Sequence, residues 1–118
     1  MPSLPEFAQI EVTSRCNLHC IMCIRRKIGL HDGDLTFDGF KRIISKLPTL
    51  KRVLLQGQGE PFLNKELLKM INFAAKRNIA VSTCTNATLL NAKIAELLCF
   101  SGLSKLAISL DSHNKKNI

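Results

Sequence analysis

The sequence predicts an α/β protein with a parallel sheet. Four short runs rich in Val, Ile and Leu alternate with amphipathic helical segments along the chain. The last three runs begin near Arg52, Ile79 and Lys105, an interval that suits one strand–helix unit. Alternation of this kind indicates parallel strands joined by right-handed crossovers. At 118 residues, the chain is long enough for one domain with a modest core.

The predicted strands are short, and their apolar and polar residues alternate poorly. Such runs are typical of parallel strands that are buried on both faces of a sheet. We predict the strands at residues 8–12, 52–56, 79–83 and 105–110.

Three amphipathic helices are predicted between these strands. Thr36 is the expected N-cap of the first helix, which ends at Pro48. Asn64 opens the second helix, and Asn91 opens the third, which stops before Gly102. The residues expected to face the core are Phe37, Phe40, Ile43, Ile44 and Leu47 in the first helix and Leu67, Leu68, Ile71 and Ala75 in the second.

Composition and charge limit the classes of function that the chain can have. No apolar run is long enough to span a bilayer, and the first residues lack the pattern of a secretory signal, so we expect a cytoplasmic protein. The net charge of +8 would suit nucleic acid, an anionic cofactor or an acidic partner, but basic residues on solvated helix faces are the simpler explanation. Because Trp and Tyr are absent and the six Phe do not alternate with basic residues, a platform for stacking nucleic-acid bases is not expected.

Three of the five cysteines lie in the stretch CNLHCIMC, as Cys16, Cys20 and Cys23. In a cytosolic protein, clustered cysteines indicate metal or redox chemistry rather than disulfides. A structural zinc site usually has two separated pairs of ligands, and this triplet has no matching pair downstream. Three thiolates on one loop suit an iron–sulfur cluster that keeps one iron open to another ligand. Cys84 and Cys99 are expected to be small core residues.

Every predicted strand is followed by an unusual stretch. The four stretches are TSRCNLHCIMC, GQGEP, TCTNATLL and DS, in chain order. Functional groups of parallel α/β folds gather on the loops after the carboxyl ends of the strands. We therefore expect these four stretches to converge on one site.

These stretches resemble the motifs of the radical S-adenosylmethionine (radical SAM) superfamily. CNLHCIMC is similar to the family's C-x3-C-x2-C signature after the first strand, and LQGQGEP to its G-G-E motif after the second. TNATLL resembles T-N-G-T-L-L, with Ala87 where the family often has Gly, and ISLDS resembles the fourth-strand ribose motif. The resemblance extends from Glu6 to Ser112.

The resemblance implies two cofactors, a four-iron, four-sulfur cluster and SAM. Cys16, Cys20 and Cys23 would each bind one iron, and the amino and carboxylate groups of SAM would chelate the fourth iron. In this family, an electron from the cluster cleaves SAM to methionine and a 5′-deoxyadenosyl radical, which abstracts a hydrogen atom from the substrate.

The resemblance also assigns residues around SAM. Gly57 and Gly59 would let the backbone approach the ligand closely, and Glu60 would hold the SAM ammonium group. The other expected SAM contacts are Met22 near the adenine, Asn86 in the third loop, and Ser109 and Asp111 at the ribose.

The family's core is a partial barrel of six strand–helix units, so residues 1–118 are expected to form its N-terminal part, without strands five and six. The substrate stays open between a peptide and a small molecule, and a flavodoxin or ferredoxin is the expected reductant. The main alternative is a non-catalytic module that binds an iron–sulfur cluster or zinc and acts through a partner. A nucleic-acid-binding protein is a third, less favoured hypothesis.

Overall fold

Four parallel strands form the centre of the fold in the computed structural model, which describes residues 3–17 and 33–110. Strands β1 to β4 lie side by side in chain order, each parallel to its neighbour. The prediction of a parallel α/β fold is therefore confirmed. The strands are β1 (Phe7–Ile10), β2 (Arg52–Leu55), β3 (Ala80–Thr85) and β4 (Lys105–Ile108), and the helices are α1 (Phe37–Ser45), α2 (Leu67–Lys76) and α3 (Ala92–Ser101), with a 3-10 helix at Pro61–Leu63.

The first and third helices begin where the sequence predicts. The Thr36 hydroxyl accepts a hydrogen bond from the Gly39 amide at 3.0 Å and caps α1. The Asn91 side chain accepts one from the Ile94 amide at 2.9 Å and caps α3. Gly102 ends α3 in the left-handed conformation, with a φ of 89°.

The second helix begins later than predicted. Asn64 does not cap α2, which starts at Leu67 after the 3-10 helix. The Asn64 side-chain amide instead donates to the carbonyl groups of Val12 and Leu35, at 2.8 and 2.9 Å. The polar group expected to start a helix is thus used to join two loops.

The core lies between the sheet and the helices. Its fully buried side chains come from both layers and are headed by Phe40, Leu55, Met70, Ile71, Val53 and Val81. In α2 the buried alanine is Ala74, whereas the predicted Ala75 is only half-buried and faces Gly102. Met70, which was not among the predicted core residues, is also completely buried.

The strands are not buried on both faces, contrary to the prediction. Along β3, buried Val81, Thr83 and Thr85 alternate with the half-buried Ser82 and Cys84. The central strands therefore bury one side fully against the helices and the other side only in part.

The outer strand and helix also differ from expectation. Cys99 is exposed on α3 and is not a core residue. Beside it Phe100 is 79% exposed, and Leu110, just after β4, is 70% exposed. Helices long and apolar enough to cross a membrane are not found within residues 3–17 and 33–110.

Candidate cofactor-binding site

The loops after the first three strands meet at the carboxyl edge of the sheet. The Glu60 amide donates a hydrogen bond of 2.7 Å to the Arg15 carbonyl, which joins the second loop to the first. The Asn86 amide donates to Glu60 Oε2 at 2.9 Å, which joins the third loop to the second. The Ser109 amide donates to the Thr85 carbonyl at 2.8 Å, so the end of β4 reaches the same edge. The structure thus brings together the described parts of the first three predicted stretches and the end of β4, whereas the fourth stretch, DS, lies outside the described residues.

Glu60 is a buried carboxylate at the centre of this edge. Its side chain accepts hydrogen bonds from the Thr85 hydroxyl, the Asn86 amide and, at 3.4 Å, the Phe62 amide. Only 3% of the residue is exposed. Buried charges are costly without such donors, so these bonds stabilise the carboxylate there. Glu60 consequently holds the third loop as well as the start of the 3-10 helix.

The two glycines before Glu60 lie against the first loop. A Cβ atom on Gly59 would stand 2.5 Å from the Arg15 carbonyl oxygen and closer still to that of Thr13. A Cβ atom on Gly57 would collide with the Glu11 side chain, whose carboxylate accepts a bond from the Gln58 amide at 3.0 Å. Gly59 therefore permits a close approach between two backbone segments of the protein itself.

The residues that precede the cysteine stretch are joined to Asp34 by hydrogen bonds. The Arg15 guanidinium forms two hydrogen bonds with the Asp34 carboxylate, at 2.9 and 2.7 Å, and a third with the Leu63 carbonyl at 2.7 Å. The Thr13 hydroxyl donates to Asp34 Oδ1 at 2.5 Å. Hydrogen bonding to Arg15 holds the pKa of Asp34 below its usual value, although partial burial opposes this shift.

Cys16 follows Arg15 directly in the chain. It is half-buried and its thiol is not in a disulfide. Cys20, Cys23 and Met22 lie outside the described residues, and within the described ranges no three His, Cys, Asp or Glu side chains are grouped as for a metal ion. A reduced thiol at the carboxyl edge fits one ligand of an iron–sulfur cluster, since thiolates hold such clusters.

Asn86 faces the cysteine stretch. Its amide Nδ2 donates to Asn17 Oδ1 at 2.9 Å, and Asn17 Nδ2 donates to the Thr88 hydroxyl at 2.7 Å. Between Asn86 and Thr88, Ala87 has a φ of 67°, the left-handed conformation for which the family's usual Gly is better suited. Ser109 is exposed at the end of β4, and Asp111 lies outside the described residues.

The surroundings of Cys84 disfavour the thiolate form of its side chain. Burial, and then the negative charge of Glu60, raise the pKa of its thiol. A raised pKa keeps the thiol neutral near neutral pH, whereas the thiolate is the reactive and ligating form. Cys84 is half-buried in β3, so its expected core position holds only in part.

The residues that shape this edge but were not singled out from the sequence include Arg15, Asn17, Asp34, Thr85 and Thr88. Arg15, Asn17 and Thr85 each stand next to a predicted site residue or one position away, so adjacency was the available signal. Asp34 lies on the far side of the cysteine stretch. Its pairing with Arg15 depends on how the chain returns to the sheet, which no local pattern indicates.

Comparison with known proteins identifies the family. The sequence model of the radical SAM superfamily matches residues 10–118 of this chain. The chain is 33% identical over 109 residues to a tungsten-containing aldehyde ferredoxin oxidoreductase cofactor-modifying protein of Pyrococcus furiosus, covering 90% of this chain and 31% of that protein. It is 29% identical over 116 residues to an AdoMet-dependent heme synthase of Methanosarcina barkeri, covering 97% of this chain and 33% of that protein. The chain thus spans about a third of the length of these curated relatives.

Solved structures share the fold. BtrN in complex with AdoMet and 2-DOIA superimposes with a TM-score of 0.80 at 23% identity, covering 98% of this chain and 49% of BtrN. Streptococcus suis SuiB bound to S-adenosylmethionine gives a TM-score of 0.79 at 22% identity, covering 97% of this chain and 27% of SuiB. The four strands and three helices match part of the fold of these two proteins. The chain belongs to the radical SAM superfamily.

Proposed function

We propose that this chain binds a four-iron, four-sulfur cluster and SAM as the N-terminal part of a radical SAM enzyme core. The observation that carries the proposal is the location of Cys16 at the carboxyl edge, next to Arg15, whose carbonyl accepts from the Glu60 amide, while the Glu60 carboxylate holds the third loop. Cys16, Cys20 and Cys23 would hold the cluster. When bound, the cluster supplies the electron that cleaves SAM into methionine and a 5′-deoxyadenosyl radical.

The residues of this chain would bind and orient SAM. Glu60 Oε2 accepts one hydrogen bond, from the Asn86 amide, and a carboxylate oxygen can accept a second. We assign that second position to the SAM ammonium group. Gly57 and Gly59 keep the Glu60 loop against the first loop. Met22, Asn86, Ser109 and Asp111 complete the proposed SAM contacts, at the adenine and the ribose.

The partners follow from this chemistry. We propose a cytoplasmic enzyme that takes electrons from a flavodoxin or ferredoxin and removes a hydrogen atom from a peptide or a small molecule. The curated relatives support an enzyme, since their names include a heme synthase and a GTP 3′,8-cyclase.

Anaerobic reconstitution with ferrous iron and sulfide tests the proposal. We expect about four iron atoms per chain, visible absorbance typical of a cubane cluster, and an electron paramagnetic resonance spectrum that changes when SAM is added. Cys16→Ala should lose most of the bound iron because it removes one ligand.

Cys99→Ala is the matched control. Cys99 is exposed on α3, so this variant should bind as much iron as the parent chain. Equal iron in both variants would contradict the role of Cys16. Tight zinc binding without any response to SAM would instead support the non-catalytic module and overturn the proposal.

A further inference from the structure

We propose that Asn17, Asn86 and Thr88 form a positioning element that holds Cys16 in place before any metal binds. The meaning of this role for catalysis rests on the proposed function, because only there is Cys16 an iron ligand. We call these three residues the polar ring. Asn86 then acts through Asn17 as a positioning residue, in addition to any contact with SAM.

The polar ring is a closed cycle of hydrogen bonds. Asn17 Nδ2 donates to Thr88 Oγ1 at 2.7 Å, Thr88 Oγ1 donates to Asn86 Oδ1 at 2.7 Å, and Asn86 Nδ2 donates to Asn17 Oδ1 at 2.9 Å. Each side chain is both a donor and an acceptor in the cycle. The cycle joins positions 71 and 69 residues apart in the chain, so it is a tertiary link and not a local turn.

Cys16 lies between two residues that are held separately. On one side, the Arg15 carbonyl accepts from the Glu60 amide and the Arg15 guanidinium is bound to Asp34. On the other side, Asn17 is held by the polar ring. A residue with both neighbours fixed has few backbone conformations left, so its thiol is confined near one location. The loops after β2 and β3 therefore position Cys16 without help from a metal.

The conformation of the third loop supports this role. Ala87 adopts a left-handed φ of 67°, although that region is unfavourable for alanine. Such a conformation persists where surrounding contacts enforce it. The Thr88 amide bonds to Asn86 Oδ1 at 3.0 Å and the Ala87 amide to Thr85 Oγ1 at 3.1 Å, and these bonds keep the Asn86 and Thr88 side chains aimed at Asn17.

The polar ring is placed to orient rather than to stabilise the whole fold. Asn17 and Thr88 are exposed, so removing one of their hydrogen bonds leaves no buried polar group without a partner. Removing one member should free the Cys16 segment and leave the sheet and the helices folded.

Thr88→Val tests the inference in the metal-free, reduced chain. Valine has nearly the shape of threonine but can neither accept from Asn17 nor donate to Asn86. We expect iodoacetamide to alkylate Cys16 about fivefold faster in Thr88→Val, measured by peptide mass spectrometry, because one hydrogen bond no longer opposes local opening. Asn17→Ala should show the same increase, and Thr88→Ser, which keeps the hydroxyl, should react at the parent rate.

Two controls accompany this measurement. Thr49→Val removes another exposed hydroxyl, one that donates to the Pro5 carbonyl at 2.9 Å, and should leave the Cys16 rate unchanged. The alkylation rate of exposed Cys99 should be equal in all variants and reports any general unfolding. An unchanged Cys16 rate in both Thr88→Val and Asn17→Ala would overturn the inference.

Reconstitution separates this inference from the proposed function. If the parent chain takes up a cluster, and Thr88→Val both reacts faster at Cys16 and loses iron faster to a chelator, both stand. If the parent chain takes up no cluster but Cys16 reacts faster in Thr88→Val, the positioning role stands and the proposed function falls. If the cluster forms and the Cys16 rate does not respond to the variants, the proposed function stands and the positioning role falls.

Discussion

Gly59 lies at the carboxyl edge, directly against the backbone of the first loop. Its Cα faces backbone carbonyl groups of Thr13 and Arg15, which precede the cysteine stretch. The atoms nearest to a Cβ on Gly57 belong to the Glu11 side chain, which can move away. The two glycines of one motif thus serve different packing needs.

Gly59→Ala should destabilise the chain strongly. We expect a loss of about 2–3 kcal/mol in the free energy of unfolding, because an added methyl group must displace backbone. Gly57→Ala should cost less than about 1 kcal/mol, since a flexible side chain can yield. Urea denaturation followed by circular dichroism measures both, and an equal cost for the two variants would contradict this assignment.

Glu60 shows how a predicted ligand contact also supports the fold. The sequence placed an acidic residue after the second strand, and the resemblance assigned it to SAM. The structure adds that its carboxylate accepts bonds from Thr85 and Asn86. These donors come from another strand, so no pattern around Glu60 could predict them.

The connection between β1 and α1 is the element that presents Cys16. Its ends are held together where Ser14 and Gly33 exchange backbone and side-chain hydrogen bonds, and where Arg15 pairs with Asp34. Residues 14–15, before Cys16, and residues 33–34, before α1, therefore meet at one location. The Arg15–Asp34 pair is more than a third exposed, so water screens it and limits its contribution to stability.

The Arg15–Asp34 pair should make the stability of the fold depend on pH in the acidic range. The pKa of Asp34 is lowered in the folded chain, first by its hydrogen bond to Arg15. A lowered folded pKa stabilises the fold above the unfolded value of 3.8, and this contribution is lost as the pH falls through the folded value.

Asp34→Asn removes this dependence. The variant should be less stable than the parent chain near neutral pH, and the difference should shrink as the pH falls below about 4. Urea denaturation across this pH range measures the two curves. Parallel curves would show that Asp34 is not the group responsible.

The helices illustrate which element boundaries can be predicted. Thr36, Asn91 and Gly102 act within three residues of their own helix ends, so local sequence specifies them. Asn64 failed as a predicted cap because its amide bonds to Val12 and Leu35, which come from other parts of the chain. Tertiary hydrogen bonds overrode a local preference there.

At the scale of the whole molecule, one side of the fold leaves apolar groups in water. Phe100, Ile108 and Leu110 are exposed by 79%, 58% and 70%. Within the described residues, β4 pairs only with β3. Exposed apolar groups at the edge of a sheet favour association between chains.

Phe100→Ala should reduce self-association and leave stability almost unchanged. We expect the free energy of unfolding to change by less than about 0.5 kcal/mol, because folding buries little of the Phe100 side chain. Leu98→Ala, in the same helix but 8% exposed, should cost about 2–3 kcal/mol. Sedimentation velocity and urea denaturation measure the two effects, and a comparable cost for both variants would contradict the exposed position of Phe100.

The sequence alone determined the order of strands and helices, the family resemblance and the cysteine stretch, because hydrophobic periodicity, helix caps and motif spacing are properties of neighbouring residues. The tertiary structure decided that the strands are fully buried on one face only, that Cys99 is exposed, and that Gly59 packs on the first loop. It also decided that Asn17, Asn86 and Thr88 meet beside Cys16. Each of these facts depends on contacts between residues far apart in the chain, which exist only once the parallel strands have brought their loops to one edge.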